Sequence, residues 1–221
     1  MNTMAARIKK HYLPLLFFSL ATAFLFFLVW NKRDAITFTA DATGYISLAF
    51  LALSLTIGPV NLLLKKSNPL STYFRRDLGI YAGILALLHC ITGLFVHLRG
   101  QMWQYFFYKT DQGYTLRFDD FGWANETGLF AGLLIILLLA TSNDYFFKKL
   151  RPLRWKNIQR LTYVMFALVL IHCLYYRIIG NNLDRVYWLY LPVLAFILCF
   201  QLTGIFLKIR SKNPVTSNTQ R

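Results

Sequence analysis

Among the side chains of this 221-residue chain, the four histidines (His11, His89, His97 and His172) are those best suited to hold a metal. Two of them lie deep inside apolar runs. His89 stands near the middle of a stretch from Asp77 to Arg99 with no carboxylate, lysine or arginine between its ends. His172 lies inside a second run, 161–179. An ionisable side chain at such depth in a membrane is costly and by default marks a function. His89 is twelve residues past Asp77, and His172 is twelve past Arg160. At helical rise both imidazoles then lie about 18 Å along their helices. Two imidazoles at matching depth on parallel helices are what axial ligation of a flat iron macrocycle requires, and coordination offsets the cost of burying them. The other reading of each is a hydrogen bond to a hydroxyl or carbonyl of a neighbouring helix.

Other residues qualify this pair. Gly93, four after His89, shares its helix face and would let a ring approach the backbone. His97 lies eight after His89, about 12 Å further out at helical rise, either snorkelling to headgroups or touching a haem propionate. Arg177 is five beyond His172, about 7.5 Å outward. It either pairs with a propionate or anchors the outer edge with Tyr175 and Tyr176. Cys90 and Cys173 each follow a histidine, but adjacent helical residues point about 100° apart, so neither shares a metal with its neighbour. With Cys199 they read as small packing residues. Gly79 and Gly83 form a small-xxx-small pair suited to helix packing. His11, beside Lys9 and Lys10, reads as an interfacial residue.

The elements that must position these groups are transmembrane helices. The chain is 57% hydrophobic, with mean hydropathy +0.45, and its apolar residues gather in long runs. Six spans are expected, at 13–30, 45–64, 77–99, 128–147, 161–179 and 186–207. They form an all-α integral membrane bundle over 13–207, flanked by a segment 1–12 and a tail 208–221. The first run is longer than a signal-peptide core and lacks a small-residue cleavage site, so it reads as a retained helix. Gly58-Pro59 should kink the second span, with neighbours covering the freed carbonyl.

Lysine and arginine set the orientation. Of the 24, one side receives those of the N-terminus, of 65–76, of 148–160 and of the tail, 17 in all. The other side holds Lys32, Arg33, Arg99, Lys109, Arg117, Arg177 and Arg185. Both termini are therefore expected in the cytoplasm. The formal charge of +15 is spread between apolar runs, which argues against nucleic-acid binding. The aromatic segment 100–126 falls on the outer face, as a belt on the headgroups, a docking lip or a lid over the cofactor. No repeat between halves suggests a transporter-style inversion. A transporter is further disfavoured because no helix interior carries an acidic residue.

Arg75-Arg76-Asp77-Leu-Gly before a helix carrying Leu-Leu-His89, then Arg154-Trp155 and Tyr163 before a helix carrying Leu-Ile-His172, resembles the ferric reductase-like transmembrane domain family over about residues 40–180. Within it, the nearest group is the haem-binding membrane subunit of the bacterial methionine sulfoxide reductase system. The resemblance implies a multi-pass protein of the bacterial inner (plasma) membrane, with b-type haem on His89 and His172. Electrons would pass from a separate reductase or membrane quinol to an acceptor at the outer face. Any flavin or quinone would come from a partner, since no Gly-x-Gly-x-x-Gly segment follows. Larger members stack two haems on histidines thirteen or fourteen apart. Here those offsets fall on Arg76, Met102, Gln159 and Arg185, or on Arg75, Trp103, Ile158 and Val186, so one haem is expected. Gln159 stands where the subgroup has a histidine. The rival reading is a non-enzymatic assembly or sensor module with structural histidines.

Overall fold

The chain begins as one long apolar helix. α1 runs over Met4–Val29, with a wide π turn at Ile8–Tyr12. α2, Ala35–Leu63, is capped by Asp34, whose carboxylate accepts from the amides of Ile36 and Thr37. α3 is Pro69–Gly93. A 3-10 turn, Met102–Tyr105, leads into a hairpin of β1, Phe107–Thr110, and β2, Gly113–Leu116. α4, Asp120–Thr141, starts on Asp119, which accepts from Gly122 N. α5, Asp144–Gln159, α6, Leu161–Ile179, and α7, Leu191–Lys212, follow. The structure, a computed structural model, describes residues 4–29, 34–64, 69–99, 101–181, 186 and 190–212. Arg185 and residues 213–221 of the expected tail lie outside them.

Among the described residues, four segments are long and apolar enough to cross a membrane: Met4–Val29, Ala35–Leu63, Asp120–Thr141 and Asp144–Ile179. Leu191–Leu207 is a shorter apolar helix. The protein is mostly helical, but not wholly. Part of the segment 100–126 folds as an antiparallel hairpin with Phe107 opposite Leu116 and Lys109 opposite Tyr114, a correction to the all-α reading.

Several boundaries also move. α2 starts ten residues before the expected 45, because its polar first turns hide their hydroxyls. Thr39 Oγ1 donates to Ala35 O at 2.7 Å and Thr43 Oγ1 to Thr39 O at 2.6 Å. α3 ends at Gly93 instead of continuing to Arg99, so the helical-rise placement of His97 does not hold. The expected fourth span, 128–147, becomes two elements. Asn143 caps a new helix by accepting from Phe146 N at 2.9 Å. α5 itself breaks at Arg151 (φ 61°, ψ 152°), where the following Pro152 disfavours helical backbone.

Pro59 sits buried inside α2 and donates no hydrogen bond to Leu55 O. That carbonyl is covered from α7, where Gln201 Nε2 donates to it at 2.6 Å. Tyr163 on α6 donates to Gln201 Oε1 at 3.1 Å, so one amide joins three helices at the proline. Gln201→Leu is expected to lower stability by about 1–3 kcal/mol, the cost of an orphaned buried carbonyl. Thermal unfolding in detergent measures it, and Pro59→Ala in the same chain should recover most of the loss by restoring the missing N–H.

At one end of the bundle α1 is pinned to α3. Asp77 is completely buried. It accepts from Arg7, from Tyr12 OH at 3.2 Å and from His11 Nδ1 at 2.5 Å. The π turn brings all three donors to one carboxylate. His11 is thus a buried partner of Asp77 and not an interfacial residue; the aspartate is remote in sequence, so no local signal revealed the pair.

Candidate functional site

α2 packs antiparallel to α3, stitched by Ser47 Oγ to Ala82 O at 2.8 Å and Ser54 Oγ to Arg75 O at 3.2 Å. α4 packs on α6 in the same manner, and Gln159, the last residue of α5, donates from Nε2 to Thr141 Oγ1 at 3.2 Å at one end. His89 and His172 stand on the second helix of each pair and meet between them. Their ring centroids are 6.0 Å apart, with planes at 85°.

The two rings are held identically. His89 Nδ1 lies 2.7 Å from Ala40 O, and His172 Nδ1 lies 2.7 Å from Ala124 O. A carbonyl only accepts, so Nδ1 carries the proton and each Nε2 keeps its lone pair. Four residues after each alanine is a glycine under the ring. A Cβ on Gly44 would fall 2.8 Å from His89 Nδ1, and one on Gly128 would fall 2.6 Å from His172 Nδ1. These four residues were not singled out in the sequence, yet a signal exists there. Ala40-Asp-Ala-Thr-Gly44 and Ala124-Asn-Glu-Thr-Gly128 are two copies of one pattern, each followed by a Leu-His-Cys or Ile-His-Cys helix. The halves therefore share a short repeat, legible only once the carbonyls have partners.

The histidines line a cavity of about 1850 Å³, well above the usual 300–1,000 Å³ or so of a small-molecule site. Arg177 also lines it, donating to the hydroxyls of Tyr45 and Tyr190. Those tyrosines, rather than Tyr175 or Tyr176, are its partners. Gly93 borders the same space, and nothing lies within 4 Å of where its Cβ would be. His97 N donates to Tyr105 OH at 3.0 Å, and the His97 ring stacks on Tyr176 at 6.3 Å. Tyr176 in turn meets the His172 ring at 5.0 Å.

The segment 101–119 covers this end of the cavity, with Tyr105 and Phe106 lining it. Tyr105 is buried, donates to Gly93 O at 3.1 Å and stacks on Phe121 at 5.4 Å. The hairpin above it is clasped by Arg117, which donates to Asp119 at 2.9 Å and lies over the rings of Tyr108 and Phe121. That guanidinium holds the Asp119 carboxyl well below the usual carboxylate range, and Asp119 in turn pushes the Tyr108 hydroxyl up. At the other end the cavity is bordered by Arg75, Arg76, Trp155, Gln159 and Arg160. There Arg76 pairs with Asp144 at 2.6 Å.

Two smaller expectations change. Gly79 and Gly83 face different helices: Gly79 lies against Ser54 of α2 and Gly83 against Leu139 of α4. Cys90 packs towards Gly132 of α4 and is a free thiol, as a packing residue should be. The premise that no helix interior carries an acid fails, because Asp77 is buried in α3 and Asp41 borders the cavity from α2.

With this architecture in view, the comparisons are direct. The model of the ferric reductase like transmembrane component family matches residues 43–170, more than half of the chain. The chain belongs to that family, which makes it an integral membrane protein and a membrane electron-transfer module. The matched stretch contains Gly44, His89 and Gly128 and ends just short of His172. The chain is also similar to the protein-methionine-sulfoxide reductase heme-binding subunit MsrQ of Polaromonas naphthalenivorans (strain CJ2). The two are 25% identical over 215 residues, covering 90% of this chain and 87% of the relative.

Proposed function

We propose that the chain is a b-type cytochrome of the membrane in which His89 and His172 ligate one haem. The observation that carries this is the matched pair of imidazoles, each oriented through Nδ1 and each left with Nε2 for a metal. The two ring centroids stand 6.0 Å apart, and His89 and His172 are the residues that would hold the iron. The cavity has room for a macrocycle, and the relative's printed description as heme-binding points the same way.

Haem supplies a one-electron iron couple when bound. The chain's own work is to hold and orient it. Ala40 and Ala124 carbonyls fix the tautomer and tilt of the two rings, the usual task of groups behind a metal ligand. Arg177 has five N–H donors, more than Tyr45 and Tyr190 use, and with His97 it is placed to receive carboxylates. Gly93 leaves the backbone open to the ring edge. Tyr105 and Phe106 keep water from the outer end.

In this reading the chain crosses the bacterial inner membrane six times with both termini in the cytoplasm. Electrons pass from a cytoplasmic reductase or quinol to an acceptor at the outer face. The bias of lysine and arginine supports the orientation. Pairing of Asp77 with Arg7, and of Arg76 with Asp144, supports α3 as a span despite its charges.

The test is a reduced-minus-oxidised visible spectrum of detergent-purified protein with haem quantified per chain. A low-spin b-type spectrum at about one haem per chain, lost in His89→Ala and in His172→Ala, is the expected result. Protein without haem, even when expressed with haem supplied, would favour an assembly or sensor module with structural histidines.

A further inference from the structure

The carbonyls that seat the histidines have a second donor. Thr43 Oγ1 donates to Thr39 O at 2.6 Å and shares that proton with Ala40 O at 3.2 Å, and Thr127 Oγ1 donates to Trp123 O at 2.7 Å and shares it with Ala124 O at 3.0 Å. Each threonine is the fourth residue of the repeated pattern, between its alanine and the glycine beneath the ring. Hydroxyls in helices commonly donate back to a carbonyl three or four residues earlier. Thr141 does so here to Leu137 and Leu138, where neither carbonyl serves a histidine. Thr43 and Thr127 differ because the carbonyl they reach also accepts from an imidazole. That coincidence occurs twice, at equivalent positions of two helix pairs.

We infer that Thr43 and Thr127 are positioning residues that set how strongly each histidine binds iron, and so the reduction potential of the haem. This rests on the haem reading given above. A backbone carbonyl has two lone pairs, and within a helix one already serves the amide four residues on. A hydroxyl on the same oxygen draws density away from the Nδ1–H bond. A weaker Nδ1–H bond leaves the imidazole less basic, because the group behind a ligand governs its basicity. A less basic ligand favours ferrous over ferric iron and raises the potential. Both threonines push in the same direction, one through each histidine.

The experiment is potentiometric titration of the haem spectrum in purified wild type, Thr43→Val, Thr127→Val and the double variant. Removing a hydroxyl frees its carbonyl for the imidazole, so each single variant should move the midpoint to more negative values. The double variant should move it by about the sum of the two shifts, provided the two sides act independently. Thr43→Ser and Thr127→Ser keep the hydroxyl and should hold the wild-type midpoint. Thr→Ala at either site removes the hydroxyl without a branched side chain and should reproduce the sign if valine perturbs folding. Midpoints unchanged in the valine and alanine variants, or shifted upward, overturn the inference while leaving the haem site standing. A wild type that contains no haem overturns the underlying reading instead.

Discussion

Gly128→Ala should yield a chain that inserts and folds but holds little or no haem, and Gly44→Ala should do the same from the opposite side. On helix propensity alone the change is favourable, by about 1 kcal/mol for glycine to alanine in a helix interior. The packing runs the other way. The new methyl would lie 2.6 Å from His172 Nδ1 in one case and 2.8 Å from His89 Nδ1 in the other, far inside contact distance. The obstructing atom is no loose chain end, since Nδ1 is tethered to a carbonyl one turn away on the same helix. To admit the methyl the ring must break that bond and turn, which would move Nε2 from where it would bind the iron. Haem per chain should therefore fall nearly as far as in His89→Ala or His172→Ala, with circular dichroism and elution volume unchanged. Full haem content in both glycine variants would mean that the close approach is incidental.

Asp77→Ala should be the most destabilising single substitution outside the histidine site, by about 3–5 kcal/mol, the scale for removing one partner of a buried ion pair. Asp77 is fully buried and Arg7 largely so. The variant strands a guanidinium, an imidazole and a tyrosine hydroxyl at the junction of α1 and α3. Replacing the pair together, as Arg7→Met with Asp77→Leu, should recover much of the loss because apolar substitutes fill the same space without an unpaired charge. Thermal unfolding of the two single variants and the double variant completes the cycle. Equal stability of Asp77→Ala and wild type would show that α1 is held by its apolar contacts alone.

The amino-acid sequence by itself determined a mostly helical membrane chain, the meeting of His89 with His172 and the family. Long apolar runs leave the backbone no option in lipid but a helix, and two histidines twelve residues past a charged boundary reach the same depth by helical rise alone. The run at 161–179 became α6 with those bounds, because its charges stop where its helix starts. Boundaries in polar sequence were less legible. Asp34, Asp119 and Asn143 start helices by capping them, but aspartate and asparagine are as much at home in loops.

Tertiary structure alone decided what each polar side chain meets. Arg177 finds Tyr45 and Tyr190 from other parts of the chain, and Asp77 finds His11, 66 residues away. The repeated Ala-Asp/Asn-x-Thr-Gly pattern was present in the sequence throughout, too short to stand out among apolar residues. Its sense depends on a histidine 49 residues from Ala40 and another 48 from Ala124. Helical periodicity governs contacts three and four residues apart. A carbonyl, a hydroxyl and a glycine become the seat of an imidazole only when a second helix brings the ring to them.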